Sequence, residues 1–335
     1  MVPVIGLDVG GANTKAAVVD GEEPVRIVSE PFEVWREPEA MAGVIADVVA
    51  RLALDGVPVA LTTTAELVDV FPSKRAGVLH VLEAAARALP GRRLRVMTVD
   101  GELIGVQAAR AAPLRCAAAN WMATALLLAR SLPDAILVDC GGTTTDVIPI
   151  AAGAVVAQGR TDLERLVAGE LVYTGALRTN VAAVLSHVPI GGRPCPVSSE
   201  LFVIAADAHL LRGNLSASQC TCTFPDGRGS ALGEVRARLA RVVCADPSQL
   251  GEGDLEAIAG AVEDAQIASI AVALERVAGR VGAGVPVVAV GVGAFLVRAA
   301  AARCGLPVGG DARSPLAGAG GEVAAAVALS VLGRE

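Results

Sequence analysis

Two short stretches of this chain carry residues suited to chemistry, and they carry them in the same order. Asp8, Gly10, Gly11, Asn13, Thr14 and Lys15 place a carboxylate, two glycines, an amide, a hydroxyl and an ammonium within eight residues. Asp139, Gly141, Gly142, Thr143, Thr144 and Asp146 repeat the carboxylate, the paired glycines and the hydroxyls 131 residues further on. Glycine lets backbone N–H groups approach phosphate oxygens with no Cβ in the way, and its access to positive φ curls successive donors inward. Asn13 and the threonines add hydrogen bonds, and Lys15 adds compensating charge. A carboxylate in such a turn repels phosphate unless a cation accompanies it. Asp8 and Asp139, with Asp146 as a further oxygen donor, therefore imply a divalent metal such as magnesium. One Gly-Gly turn with a capping Asp is ordinary turn chemistry. Two in one chain point to a phosphate or diphosphate group and one metal ion shared by Asp8 and Asp139. Neither turn ends in the Lys-Ser/Thr of a P-loop, and neither opens directly into a helix as a dinucleotide fingerprint does.

Other candidates are single. Glu66, in a Thr-rich loop after an apolar strand, is placed to act as a base or to support the metal, or else to satisfy backbone donors at a helix start. Arg178 and Thr179 are candidates to clamp an anionic substrate, with a surface ion pair as the other account of Arg178. Asn120 and Trp121 interrupt an Ala/Leu-rich helix, where they either line a substrate site or, for Trp121, fill the core. The three histidines are scattered and receive no catalytic role. Asp226, Gly227 and Arg228 read as a plain turn.

The elements around these residues follow from apolar periodicity. Residues 2–20 read as strand, Gly-Gly turn and strand, and Ala135 to Ile150 as a second such hairpin. Between them come a helix over 39–54, a strand over 57–62, a helix over 76–89 and a strand over 94–99, an alternation that makes a sheet covered by helices. The expectation is an α/β chain of two related lobes with a cleft between them: a first lobe over 1–112, a crossing helix over 113–133, a second lobe over 134–316 and a C-terminal helix over 317–335. Residues 169–229, rich in Gly, Pro, Ser and Thr, read as an inserted substrate-binding section. Helices follow at 230–243 and 254–280, then a strand at 285–290 leading into Gly291, Gly293 and a last pair of helices.

Composition removes several function classes. A net charge of −7, with 28 Lys and Arg in no basic block, argues against nucleic acid. Five Phe, two Trp and one Tyr leave few stacking platforms for bases. Asp8 interrupts the N-terminal apolar run before a signal core forms, and the apolar stretch 285–302 is broken by Pro286, Gly291, Gly293 and Arg298. A cytoplasmic protein without a membrane partner is expected. Seven cysteines in no paired Cys-x-x-Cys spacing read as reduced thiols. Cys220 and Cys222, with Cys195 or His209, are the one combination with any metal-binding spacing, and it is a poor one.

The doubled turn resembles the superfamily of sugar kinases, actin and heat-shock chaperones, whose two ribonuclease-H-like lobes each contribute a phosphate hairpin. In that resemblance Gly291 and Gly293 correspond to a nucleotide-side glycine turn, although a helix start packed closely on a sheet needs the same residues. More closely, the chain resembles the hydantoinase/oxoprolinase-related group. Within that group it is similar to the family linked to methanofuran biosynthesis and tetrahydromethanopterin-dependent C1 metabolism. The resemblance covers nearly the whole chain and rests on Gly6 to Lys15, Thr64 to Leu67, Ala119 to Ala125, Asp139 to Asp146 and Gly169 to Thr179. It implies a transferase that joins an aminomethylfuran-methyl diphosphate to the phenol oxygen of γ-glutamyltyramine and releases diphosphate. Asp8, Lys15 and Asp139 would then serve the leaving group, and Glu66 the phenol proton. The alternatives on the same fold are an ATP-dependent small-molecule kinase or hydantoinase-like hydrolase, and a nucleotide-binding switch with no further substrate. An Ala- and Arg-rich composition points to a high-GC bacterial genome, so the substrate's furan, amine and glutamate tail are left open.

Overall fold

The computed structural model describes residues 3–20, 23–282, 284–309 and 323–334, which fall into two compact units. The first comprises Met1–Leu137, Ile148–Glu170 and Gly310–Glu335. Its strands are β1 (Ile5–Val9), β2 (Asn13–Asp20), β3 (Glu23–Pro31), β4 (Val59–Thr63), β5 (Leu94–Met97) and β6 (Leu103–Gly105), in the order β3-β2-β1-β4-β5-β6. β1 runs antiparallel to β2 and parallel to β4, and β4 runs parallel to β5. The parallel strands are joined through α1 (Met41–Ala50) and α2 (Lys74–Ala88). In α1 the buried residues Met41, Ile45, Val48 and Val49 recur at helical spacing and form one apolar stripe. They meet Ile5, Leu7, Val9, Ala16 and Val18 in the main core of this unit. α2 starts at Ser73, whose hydroxyl accepts from the amide of Ala76 at 3.2 Å.

The opposite face of β1 and β2 carries Ala17 and Val19, which pack on Val323, Ala326 and Val327 at the C-terminal helix. That helix, Ala324–Leu332, lies directly on the strands. A Cβ built on Gly6 would stand 1.8 Å from the carbonyl oxygen of Ala326. Ser330 ties the contact, donating to the Val4 carbonyl at 2.7 Å and accepting from the Val19 amide at 2.9 Å. Of the C-terminal helix expected over 317–335, residues 317–322 lie outside the described residues. The helix itself belongs to the first unit.

Residues 106–170 add α3 (Val106–Ala111), α4 (Asn120–Ser131), β7 (Ala135–Cys140), β8 (Thr145–Ala151), β9 (Ala154–Val155) and α5 (Asp162–Ala168). The segment expected to cross between lobes differs from that expectation. Ala118 sits at φ +48, α4 starts only at Asn120, and all of α4 falls within the first unit.

The second unit comprises Val138–Val147 and Leu171–Gly309. Its elements are β10 (Leu171–Val172), α6 (Val181–Val184), β11 (His187–Ile190), β12 (Arg193–Pro196), α7 (Ala205–Leu211), α8 (Leu232–Arg241), α9 (Glu252–Val281), β13 (Val287–Val290) and α10 (Ala294–Arg303). With the C-terminal helix as α11, the set is complete for the described residues. A five-stranded sheet has the order β10-β8-β7-β13, with β9 also paired to β8. The section 169–229 is not an insertion apart from the core. Leu177, Val181, Val188, Val203, Ile204, Leu210 and Phe224 share one buried cluster with Val235 and Leu239 of α8 and Leu255, Ile258 and Val262 of α9. Its Gly and Pro content reflects short elements with tight corners. α9 is long and apolar enough to cross a membrane by length and composition. Its buried positions, from Leu255 to Ala278, make it a core helix of this unit.

Gly6→Ala forces α11 off β1, and overpacking of this kind costs about 3 kcal/mol. Urea denaturation should show a lower midpoint with an unchanged slope. An unaltered midpoint would mean that α11 does not bear on β1 as described.

Candidate functional site

The first glycine turn joins β1 to β2. Asp8 pairs in register with Lys15 on β2 and with Thr62 on β4, which puts the three side chains on one face of the sheet. Asp8 is buried, which raises its pKa against the opposing pull of Lys15. Asp8 Oδ1 and Thr62 Oγ1 have no hydrogen-bond partner, and neither do Asn13 Oδ1 and Thr14 Oγ1. A buried polar atom left unpaired costs about 1–3 kcal/mol, so Asp8, Asn13 and Thr62 on one face of the sheet mark a place for a ligand, whereas Thr14 lies on the opposite face with Val9. Hard oxygen donors beside an ammonium suit a magnesium-bound phosphate.

The backbone of the turn is oriented by its neighbours. Gly10 N donates to Asn13 O at 2.9 Å and closes the turn. The carbonyls of Gly11 and Ala12 accept from Val34 N at 3.0 Å and Phe32 N at 2.9 Å. With the carbonyls occupied from behind, and no protein acceptor on the amides of Gly11 and Ala12 among the described residues, the turn presents donors.

The second turn, between β7 and β8, is closed by the equivalent bond and is also backed through its carbonyls, here one position earlier and by three amides in place of two. Gly141 N donates to Thr144 O at 2.9 Å, and the carbonyls of Gly141 and Gly142 accept from the amides of Ala176, Leu177 and Arg178 at 2.9, 3.0 and 2.7 Å. Thr145 Oγ1 donates to the Thr174 carbonyl at 2.7 Å. Gly175 is required by this closeness, because a Cβ there would lie 2.5 Å from Thr143 N. Gly141, Gly142, Thr143 and Thr144 are part-exposed, whereas Asp146 is buried in register with Leu171.

Two expectations are corrected here. Thr179 is not a substrate clamp. Its hydroxyl donates to Gly175 O and accepts from Gly175 N, both at 2.8 Å, and so belongs to the scaffold behind the turn. Gly291 and Gly293 are used for packing. A Cβ on Gly291, which sits at φ +89, would lie 2.2 Å from Cys140 O and 2.6 Å from Asp139 Oδ1, and one on Gly293 would lie 2.3 Å from Cys140 Sγ. Close approach of the α10 start to β7 explains both, without a phosphate. Among the described residues no group of three or more His, Cys, Asp or Glu is placed to hold an ion. Arg178 keeps an exposed side chain next to the second turn.

Glu66 stands in a 3-10 turn (Ala65–Leu67) directly after β4. Val68, just beyond it, packs so near the first glycine turn that a Cβ on Gly11 would lie 2.8 Å from its Cγ1. Gly77 of α2 lets the helix approach to the point where a Cβ would lie 2.6 Å from Glu66 Cα. The Glu66 carboxyl is buried, its Oε2 has no partner, and burial pushes its pKa up to about 7. Its own amide and that of Ala118 oppose the shift, as does Lys74, while Asp162 adds to it. Lys74 Nζ and Asp162 Oδ2 form an ion pair of 2.6 Å beside it. That pair is legible in sequence only as two surface charges 88 positions apart.

The Asn120 side chain is half-buried at the first position of α4. Trp121 is a core residue with an unpartnered Nε1, and the Arg165 guanidinium lies 4.5 Å over its ring. Glu170 accepts from the amides of Gln158 and Gly159 at 2.8 and 2.9 Å and pins that loop.

Comparison with known proteins gives the family and the fold. The Hydantoinase/oxoprolinase family model matches residues 58–332. A protein of Methanocaldococcus jannaschii, (4-{4-[2-(gamma-L-glutamylamino)ethyl]phenoxymethyl}furan-2-yl)methanamine synthase, is 34% identical over 76% of this chain and 75% of its own length. A synthase of the same name from Methanococcus vannielii is 38% identical over 35% of this chain and 52% of its own length. Among solved structures, nucleotide-free acetone carboxylase superposes with a TM-score of 0.59 at 12% identity, covering 88% of this chain and 66% of its own. The fold is thus the α/β, actin-like ATPase type that the doubled hairpin implies. By the extent of the family match and the identity to the first relative, the chain belongs to the hydantoinase/oxoprolinase family.

Proposed function

We propose that this chain is a transferase that joins a furan-methyl diphosphate to the phenol oxygen of a tyramine-type amine and releases diphosphate, as a step in building a methanofuran-type cofactor. The observation that carries the reading is the doubled turn with its carbonyls tied back, found in a chain 34% identical to a synthase whose product is a phenoxymethyl furan. Formation of that ether breaks a bond from the furfuryl carbon to the leaving oxygen, and the bonding electrons depart with diphosphate. The furan ring stabilises the positive charge that develops on the carbon, so the protein's main task is to stabilise the leaving group. The amides of each turn are placed to donate to phosphate oxygens, and Lys15 adds positive charge at the first. Asp8 at the first turn, and Asp139 and Asp146 at the second, are the carboxylates that would hold magnesium. Magnesium keeps several waters and needs only one or two protein carboxylates, so a preformed set of three is not required. When bound it neutralises charge on the diphosphate.

The phenol must lose its proton as its oxygen bonds to carbon. Glu66 supports that role through burial, an unpartnered Oε2 and a pKa of about 7, which leaves the base largely ionised just above neutrality. Its substrates are small molecules, in keeping with the acidic net charge of −7.

Purified protein given magnesium, an aminomethylfuran-methyl diphosphate and tyramine or γ-glutamyltyramine should release one diphosphate per ether formed, and EDTA should stop it. Release of ADP from ATP with no furan partner would instead identify a kinase or ATP-coupled hydrolase. Glu66→Gln should lower kcat about 100-fold, and the wild-type rate should rise with pH through about 7. Full activity in this variant would remove Glu66 from the reaction.

Stability gives a separate check on Glu66. Because folding raises this pKa from 4.5 to about 7, the folded state holds a proton that the unfolded state releases across that window. Stability is therefore lost as pH rises through it. Glu66→Gln, which does not ionise, should be the more stable protein at pH 8, by up to about 3 kcal/mol. A variant equal to or weaker than wild type at that pH would contradict the buried, strained carboxylate.

A further inference from the structure

The second glycine turn is held from behind by residues 174–178, and those are held in turn by a buried relay that the reaction itself does not use. Gln266, in the middle of α9, is fully buried. Its Nε2 donates to Thr174 Oγ1 at 2.8 Å and to the Gly175 carbonyl at 2.9 Å. A carbonyl oxygen only accepts, so the amide orientation is fixed by this contact. Its Oε1 then faces His209 Nε2 of α7 at 2.8 Å, and that nitrogen must carry the hydrogen. Burial lowers the pKa of His209 and keeps the ring neutral, with Nδ1 as an unpartnered acceptor. The ring also packs edge-on against Phe295 of α10, centroids 4.8 Å apart.

The remaining hydrogens follow in order. Thr174 Oγ1 accepts from Gln266, so its own hydrogen is available to Thr179 Oγ1 at 3.2 Å. Thr179 Oγ1 donates to Gly175 O and accepts from Gly175 N. Both lone pairs of the Gly175 carbonyl and its N–H are thereby committed. Gly175 is the residue whose Cβ would strike Thr143 N, and the next three amides occupy the carbonyls of Gly141 and Gly142. A polar glutamine in the centre of an apolar helix is costly unless every one of its groups is paired, and here they are.

We propose that Gln266 is a positioning residue for the second phosphate turn, and that His209 acts through it by fixing which way its amide faces. Loss of the Gln266 amide frees residues 174–178 to drift. The carbonyls of Gly141 and Gly142 are then released, and the turn no longer presents its amides together. The inference rests on the phosphate-binding reading of that turn, so its test has one readout that does not depend on phosphate.

Gln266→Met preserves volume and removes all three hydrogen bonds. Hydrogen exchange should quicken at Ala176, Leu177 and Arg178, while the helix signal and cooperative melting persist. Binding of inorganic diphosphate with magnesium, measured by calorimetry, should weaken about tenfold. His209→Phe should weaken it less, and His209→Gln, which again offers an N–H to Gln266 Oε1, should restore it. Unchanged exchange in Gln266→Met overturns the relay. Quickened exchange with undiminished diphosphate affinity overturns its role in positioning the turn. If wild type itself binds no diphosphate while exchange still quickens, the hold on the turn stands and the phosphate reading falls.

Discussion

A tight turn carries as many carbonyl acceptors as amide donors, and it can serve an anion only when something else occupies the carbonyls. Both glycine turns meet that condition in the same way. The first is backed by the amides of Phe32 and Val34, the second by those of Ala176, Leu177 and Arg178. The supporting segments are unrelated in sequence, but each follows the strand that pairs with the second strand of its hairpin, β3 on β2 and β10 on β8. What recurs is the hydrogen-bond pattern that sorts donors forward and acceptors back.

The surroundings of each turn follow from that requirement. Gly175 and Gly291 are glycines because backbone must lie against backbone at the end of β7, and Gly293 because the Cys140 side chain lies against it. Thr179 and Thr145 spend their hydroxyls on the support, which explains buried threonines beside a part-exposed turn. In the first unit the support is supplied by backbone alone, and Asp8 Oδ1, Asn13 Oδ1, Thr14 Oγ1 and Thr62 Oγ1 are left without hydrogen-bond partners. Unpartnered side-chain oxygens are thus concentrated at the first turn and at Glu66, whereas the hydroxyls of Thr145 and Thr179, beside the second turn, are spent on hydrogen bonds within the protein. Burial of Asp8 and Glu66 costs stability in the charged state, a cost typical of sites organised to meet a cation or a proton.

Much of this was legible in the residues. The glycine pairs and aspartates locate both turns, and apolar periodicity locates β1, β2, β4, α1, α2 and α9 within a few residues. β3 escapes because Pro24, Arg26 and Glu30 give it the charged, proline-bearing character of an edge strand. The section 169–229 misleads because short elements with Gly and Pro corners resemble a loop, although their apolar residues close the core on α8 and α9. Thr179 looks like a ligand and is a brace, since sequence shows that a hydroxyl exists but not where it is spent. Gln266, Lys74 and Asp162 are invisible for the opposite reason: their partners lie 91, 88 and 88 positions away. The burial of Glu66 depends on how closely Gly77 lets α2 approach, and no local pattern encodes that distance.

The most direct test is an amide-resolved NMR titration with inorganic diphosphate and magnesium. The account predicts that the amides of Gly11, Ala12, Gly142 and Thr143 all shift and saturate as diphosphate is added, as donors to an anion would. Unmoved amides at either turn would contradict it.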